Sequence, residues 1–141
     1  MPQIDFYVAK ESSPQFAMRT ACRITEKAFH AGMRVHLQTA NSSATEKLDS
    51  LLWTFRDRSF IPHQIYDVSE LTCLVTISAD HGPSTAEVLV NLSDQLPENM
   101  KQFQRIIEII DNSRASIHAG RERYRFYRKN GIKPTHHEVF S

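Results

Sequence analysis

The sequence predicts an α/β protein, a three-layer sandwich with a mostly parallel central sheet and helices on both faces. Three observations carry that expectation. Strand-like and helix-like periodicities alternate along the chain. The run Ile106-Ile107-Glu108-Ile109-Ile110 is almost continuously apolar, as a strand covered on both faces must be. Helix boundary residues fall between the strand-like runs, with Pro14 at a first helical position and Gly32 and Gly131 at helix ends.

Taken in order, a first strand is expected from Ile4 to Val8. It leads to a helix that Ser13 can cap, with Phe16, Thr20, Ala21, Ile24 and Ala28 sharing one face. A second strand runs from Met33 to Leu37. The next helix spans Asn41 to Phe55, its start marked by Ser43 and, three residues on, Glu46, which is the spacing of a capping box. Past a loop through Pro62, strands are expected at Cys73 to Ile77, Glu87 to Leu92 and Arg105 to Ile110, with a short helix or turn at Pro97 to Phe103. Asn112 is placed to cap a long final helix that Gly131 stops, with Pro134 just beyond. Residues 136–141 read as a loose polar tail.

With 141 residues the chain is read as one domain, residues 1–141, able to bury roughly two thirds of its unfolded surface. Its hydrophobic fraction of 40%, charged fraction of 23% and net charge of +1 are ordinary, and no stretch is apolar enough to span a bilayer. The N-terminus runs straight into a strand without a basic region or signal-type core, so the cytoplasm is the expected location. Cys22 and Cys73 lie far apart in elements expected to be buried, which suits reduced thiols better than a bridge or a metal knuckle.

Trp53 stands on the wrong side of its helix. The apolar stripe is Ala44, Leu48, Leu51, Leu52 and Phe55, and at ~100° per residue Trp53 projects about opposite to Ala44. A sole tryptophan normally joins the core, because its ring carries the largest apolar area of any side chain. A short apolar run, Arg58-Ser59-Phe60-Ile61-Pro62, follows it in the loop. Together they suggest a partner protein anchored at Trp53 and Phe60, with local packing under the Phe60 loop as the competing account.

The final helix is the second unusual object. Between Asn112 and Gly131 it carries Arg114, Arg121, Arg123, Arg125, Arg128 and Lys129 against Glu122 alone, a net of +5 in a chain of +1. On a helical wheel Arg114, Arg121, Arg125 and Arg128 fall within ~60° of each other, with Ile117 and Tyr124 at the edge of that face. Ala115, Ala119 and Phe126 lie opposite, where they are expected to pack on the sheet. Such a face suits an acidic peptide ending in an aromatic, because guanidinium forks pair with carboxylates while Tyr124 and Ile117 line an apolar slot. A merely solvated cationic face is one alternative. Direct binding of single-stranded nucleic acid is another, although a pI of about 7.9 is low for a phosphate-tracking domain.

A nucleotide-binding enzyme is the remaining alternative, since doubly wound folds often bind nucleotides. Its phosphate loops are missing, and four glycines leave little material for one. In Asp80-His81-Gly82-Pro83-Ser84-Thr85, Pro83 removes an amide donor, so a plain turn is expected. Seven histidines are scattered, with only His136 and His137 adjacent, and no metal site, cofactor or catalytic nucleophile is expected.

The segments Leu51-Leu52-Trp53-Thr54-Phe55, Ser59-Phe60-Ile61-Pro62-His63 and Arg121-Glu122-Arg123-Tyr124-Arg125-Phe126-Tyr127-Arg128 resemble the chi subunit of bacterial DNA polymerase III. Phe6-Tyr7, the passage from Ala21-Cys22 to Gly32-Met33-Arg34-Val35, and Leu89-Val90-Asn91-Leu92 extend the resemblance over nearly the whole chain. It implies a non-catalytic α/β protein of nucleotide-binding appearance that binds the psi subunit of the clamp loader and the acidic C-terminal tail of the single-stranded-DNA-binding protein. By motif, Trp53, Phe60 and Pro62 would face psi. Arg121, Tyr124, Arg125 and Arg128 would form the tail pocket, with Arg114 and Ile117 beside them. Ile117 departs from the pattern where relatives can carry a lysine, leaving Arg114 or His118 to supply that charge.

Overall fold

In the computed structural model, which describes residues 2–9, 14–57 and 60–139, the alternation becomes β1 (Gln3–Ala9), α1 (Pro14–His30), β2 (Val35–Gln38) and α2 (Ser42–Thr54). There follow β3 (His63–Ile65), β4 (Val75–Ser78), β5 (Val88–Asn91), β6 (Arg105–Ile110), α3 (Arg114–Lys129) and β7 (Thr135–Val139). The strands form one seven-stranded sheet in the order β3-β4-β2-β5-β6-β1-β7, and every described ladder is parallel. A single 3-10 turn, Met100–Gln102, lies within the region expected to be a short helix or turn.

Strand alternation divides the core in two. Val35, Leu37, Val88, Val90, Ile107 and Ile109 point to the face covered by α1 and α2, where they meet Ala21, Cys22, Leu48 and Leu52. Ile4, Phe6, Leu89, Ile106 and Ile110 point to the other face, where they meet Tyr127 of α3. Ile61, from the loop expected to be partner-facing, is instead fully buried and plugs the first core. Gly32 and Gly131 both adopt φ 78°, the left-handed conformation that lets the chain turn out of α1 and α3 at little steric cost.

Several expected boundaries shift. Ser43 is not the cap of α2: Asn41, in extended conformation, accepts from the Ala44 amide at 2.9 Å, so the helix starts earlier than the Ser43 and Glu46 spacing suggests. Ser113 rather than Asn112 caps α3, its hydroxyl accepting from the Ser116 amide at 3.2 Å. Ser13, Arg58 and Ser59 lie outside the described residues. Cys22 is buried, whereas Cys73 precedes β4 and is only half-buried. The loose tail is also corrected, for residues up to Val139, because β7 pairs with β1 along the sheet edge. Its polar sequence is tolerated there: His137 stacks on Tyr7 at 4.5 Å and meets the Asp5 carboxylate at 3.1 Å.

Beneath the Asp80–Thr85 turn lies His36, fully buried on β2. The Asp80 carbonyl can only accept, so Nε2–H donates to it at 3.1 Å, and Nδ1 then accepts from the Thr76 hydroxyl at 2.7 Å. A Cβ on Gly82 would stand 2.3 Å from this ring, which fixes glycine at the turn's closest approach. Burial pushes the His36 imidazole down from 6.5 to about 4. Below pH 6.5 the unfolded chain therefore takes up the proton first, and stability present above that pH is lost as pH falls toward 4, by at most about 3 kcal/mol. Two measurements check this. The His36 ring resonances should titrate near pH 4. Urea denaturation at pH 7 and pH 5 should show His36→Gln losing about 2 kcal/mol less than the unmodified chain over that interval.

Candidate docking surfaces

The indole surface begins from the sequence of α2. Leu48 and Leu52 are fully buried, which turns Trp53 toward β3 at the sheet edge and leaves it 44% exposed. Its ring rests on His63, with centroids 4.1 Å apart, and lies 5.4 Å from the ring of Phe60, itself 70% exposed. His63 is held from below, one ring nitrogen 2.7 Å from the Ile61 carbonyl and the other 2.9 Å from the Asp49 carbonyl. Half-buried Pro62 follows. Ile61 anchors the loop in the core, so Phe60 is presented outward beside the indole. Local packing and exposure thus coexist: the ring has a seat and an open side.

The basic surface lies on the opposite face and toward the opposite edge of the sheet. Arg114, Arg121, Arg125 and Arg128 are all exposed on α3. Arg125 pairs with Glu122 one turn before it, an exposed contact of small energetic weight. Beside this row is a hollow of about 530 Å³, lined by Ile117, Gly120, Arg121 and Tyr124 of α3, Phe6 and Val8 of β1, Ile110 of β6 and His136 of β7. Gly120 allows the close approach that forms its floor, since a Cβ there would meet Ile110 Cδ1 at 2.2 Å. The structure therefore gathers Ile117, Arg121 and Tyr124 around one cavity, while Arg114, Arg125 and Arg128 extend the cationic row outside its lining.

What holds α3 in place differs from the expected packing. Ala115 and Phe126 are exposed, and the face on the sheet is Gly120, Arg123 and Tyr127. Arg123 is no surface cation. Its Nε donates to the buried Glu108 of β6 at 3.0 Å, joined there by the Tyr127 hydroxyl at 2.5 Å and Asn91 Nδ2 at 2.9 Å. Arg123 Nη1 finds no acceptor among the described residues. Burial pushes the Glu108 carboxyl up, and these three donors oppose that shift. Burial and the Glu108 charge push the Tyr127 phenol up as well, so it remains a donor.

The sequence also hid His136, because an edge strand with few apolar contacts reads as tail. The strand alternation that puts His137 against Tyr7 puts His136 beside Phe6 on the α3 face. Elsewhere, burial pushes the Cys22 thiol up to about 12, which leaves it protonated and unreactive in the core. Among the described residues no group of three or more His, Cys, Asp or Glu is arranged to hold a metal, and no helix is long and apolar enough to cross a membrane.

Fold and surfaces define a doubly wound parallel α/β domain whose conspicuous features are an exposed indole and a cation-edged hollow on opposite faces. The chain belongs to the DNA polymerase III chi subunit (HolC) family, whose model matches residues 1–135. It is 32% identical over 140 residues to the DNA polymerase III subunit chi of Pseudomonas aeruginosa, covering 99% of this chain and 98% of that one. It is also 22% identical to the subunit chi of Haemophilus influenzae over 89% of this chain and 90% of that one. Against the probable subunit chi of Rickettsia prowazekii the identity is 28%, over 79% and 71% respectively.

Proposed function

We propose that the chain is a non-catalytic, cytoplasmic adaptor of the bacterial replicase. It joins the psi subunit of the clamp loader, held at Trp53, Phe60 and Pro62, to the acidic C-terminal tail of single-stranded-DNA-binding protein. That tail is held at Ile117, Arg121 and Tyr124, with Arg114, Arg125 and Arg128 steering it along the helix. One observation carries the reading: the hollow combines an apolar floor of Phe6, Val8, Ile110 and Ile117 with the Arg121 guanidinium at its edge. An aromatic residue enters such a floor while its terminal carboxylate meets the cation, and neighbouring aspartates meet the exposed row. Ile117 adds to the apolar wall. Because the indole lies on the other face, both partners can be held together, and many tails on one coated strand raise the effective concentration.

The test is a fluorescence titration with an acidic peptide ending in phenylalanine. Arg121→Ala should weaken binding by about 1–2 kcal/mol and Arg128→Ala by about 0.5–1 kcal/mol, with affinity falling as salt rises. Binding indifferent to salt and to both substitutions would leave α3 as a solvated face and the proposal without support.

A further inference from the structure

A second cationic hollow, of about 820 Å³, lies between the C-terminal half of α1, Tyr7 of β1 and the first residues of β5 and β6. Arg23 and Lys27 reach it from α1, Arg56 from the turn after α2, and Arg105 from β6, with Glu26 as the carboxylate among the lining residues. Cations near a helix C-terminus answer the helix dipole without any ligand. That explains Lys27 but not Arg56 or Arg105, which come from other elements and converge on the same space.

Two of the guanidiniums are held by carboxylates, Arg105 by one outside the lining and Arg56 by Glu26 on the wall of the hollow itself. Arg56 Nη1 lies 3.0 Å from Glu26, and Arg105 Nε donates at 2.8 Å to Asp5, whose carboxylate is almost wholly buried. A guanidinium fixed along one edge keeps its remaining N–H groups free to meet an anion in the hollow. Arg23 donates to the Thr20 hydroxyl at 3.3 Å, and neither Arg23 nor Lys27 pairs with a carboxylate among the described residues. Tyr7 also lines the space, its hydroxyl 3.4 Å from Arg105 Nη2, and Ile24, Met33 and Val88 supply apolar wall. Cations beside an aromatic and an apolar wall suit a phosphate that carries a planar ring.

We propose that this hollow binds a nucleoside phosphate, its phosphate held by Arg23, Lys27, Arg56 and Arg105 and its base lying against Tyr7 and Ile24. A free nucleotide and one unit of a single strand share this chemistry, and the test separates them. The isotope-labelled full chain is titrated at low salt with thymidine monophosphate, with a short oligothymidylate and with inorganic pyrophosphate, while amide resonances are followed. Either nucleotide probe should move resonances of Tyr7 and of α1 around Arg23 and Lys27. An oligomer binding about tenfold more tightly than the monomer identifies a strand as the source, and equal affinity a free nucleotide. The double substitution Arg23→Ala/Lys27→Ala should weaken binding about tenfold or more, with the melting temperature and the acidic-peptide affinity of α3 unchanged. Arg121→Ala should leave it intact. No response from either nucleotide probe, an equal response to pyrophosphate, or loss of binding with Arg121→Ala overturns the assignment.

Discussion

Replacing Glu108 by alanine is expected to cost about 3–5 kcal/mol of folding stability, the largest effect of any single substitution considered for this chain. Its carboxylate is fully buried and receives Arg123, Tyr127 and Asn91. Arg123 has only 3% of its side chain exposed and cannot shed its charge, so removing Glu108 strands a cation and a phenol in the interior. Exchanging the two charges and the phenol for apolar groups, as Glu108→Leu/Arg123→Met/Tyr127→Phe, removes the charges together, leaves the Asn91 amide with its bond to the Gln95 carbonyl, and should cost far less. The network's contribution is therefore to position α3 on β6, with Arg121 and Tyr124 aimed into the hollow. Urea denaturation of the single and triple variants checks the energies. A loss below about 1 kcal/mol for Glu108→Ala would mean that Arg123 reaches solvent once its partner is gone.

Legibility in the sequence followed the strength of the local pattern. The Arg105–Ile110 strand was readable because burial on both faces demands a nearly unbroken apolar run. The exposure of Trp53 was readable from the helical wheel alone, since the stripe that opposes it is unambiguous. The buried face of α3 was not. Counting apolar residues selects Ala115, Ala119 and Phe126, whereas the helix packs through a glycine and a charged group whose partner is 15 residues away on β6. A sign was present in Glu108 itself: a carboxylate inside a doubly covered strand needs a buried donor, and Arg123 and Tyr127 stand one turn apart on the next helix. The edge strands β3 and β7 escaped notice for a related reason. His63–Ile65 is only three residues long, and β7 is mostly polar, so neither carries an apolar period.

Trp53→Ala is expected to weaken binding to psi by about 2–4 kcal/mol, roughly 30-fold or more, while the chain keeps its fold and its affinity for the acidic peptide. The separation follows from how the ring is seated. Its support does not depend on it: His63 is fixed by the Ile61 and Asp49 carbonyls, and Ile61 is buried in the core, so truncation removes the exposed ring and leaves its seat. With 44% of its surface already in water, the indole contributes less to folding than a core aromatic, and a loss of about 2 kcal/mol is expected. In a complex the remaining area would be desolvated against a partner alongside Phe60, the situation in which tryptophans dominate interface energies. Calorimetric titration with psi and with the peptide, together with a melting curve, distinguishes the outcomes. Unchanged psi affinity would remove the indole from the interface. Simultaneous loss of both partners with a lowered melting temperature would instead make Trp53 a structural residue, because the hollow beside α3 lies on the other face of the sheet and cannot sense the indole except through the fold.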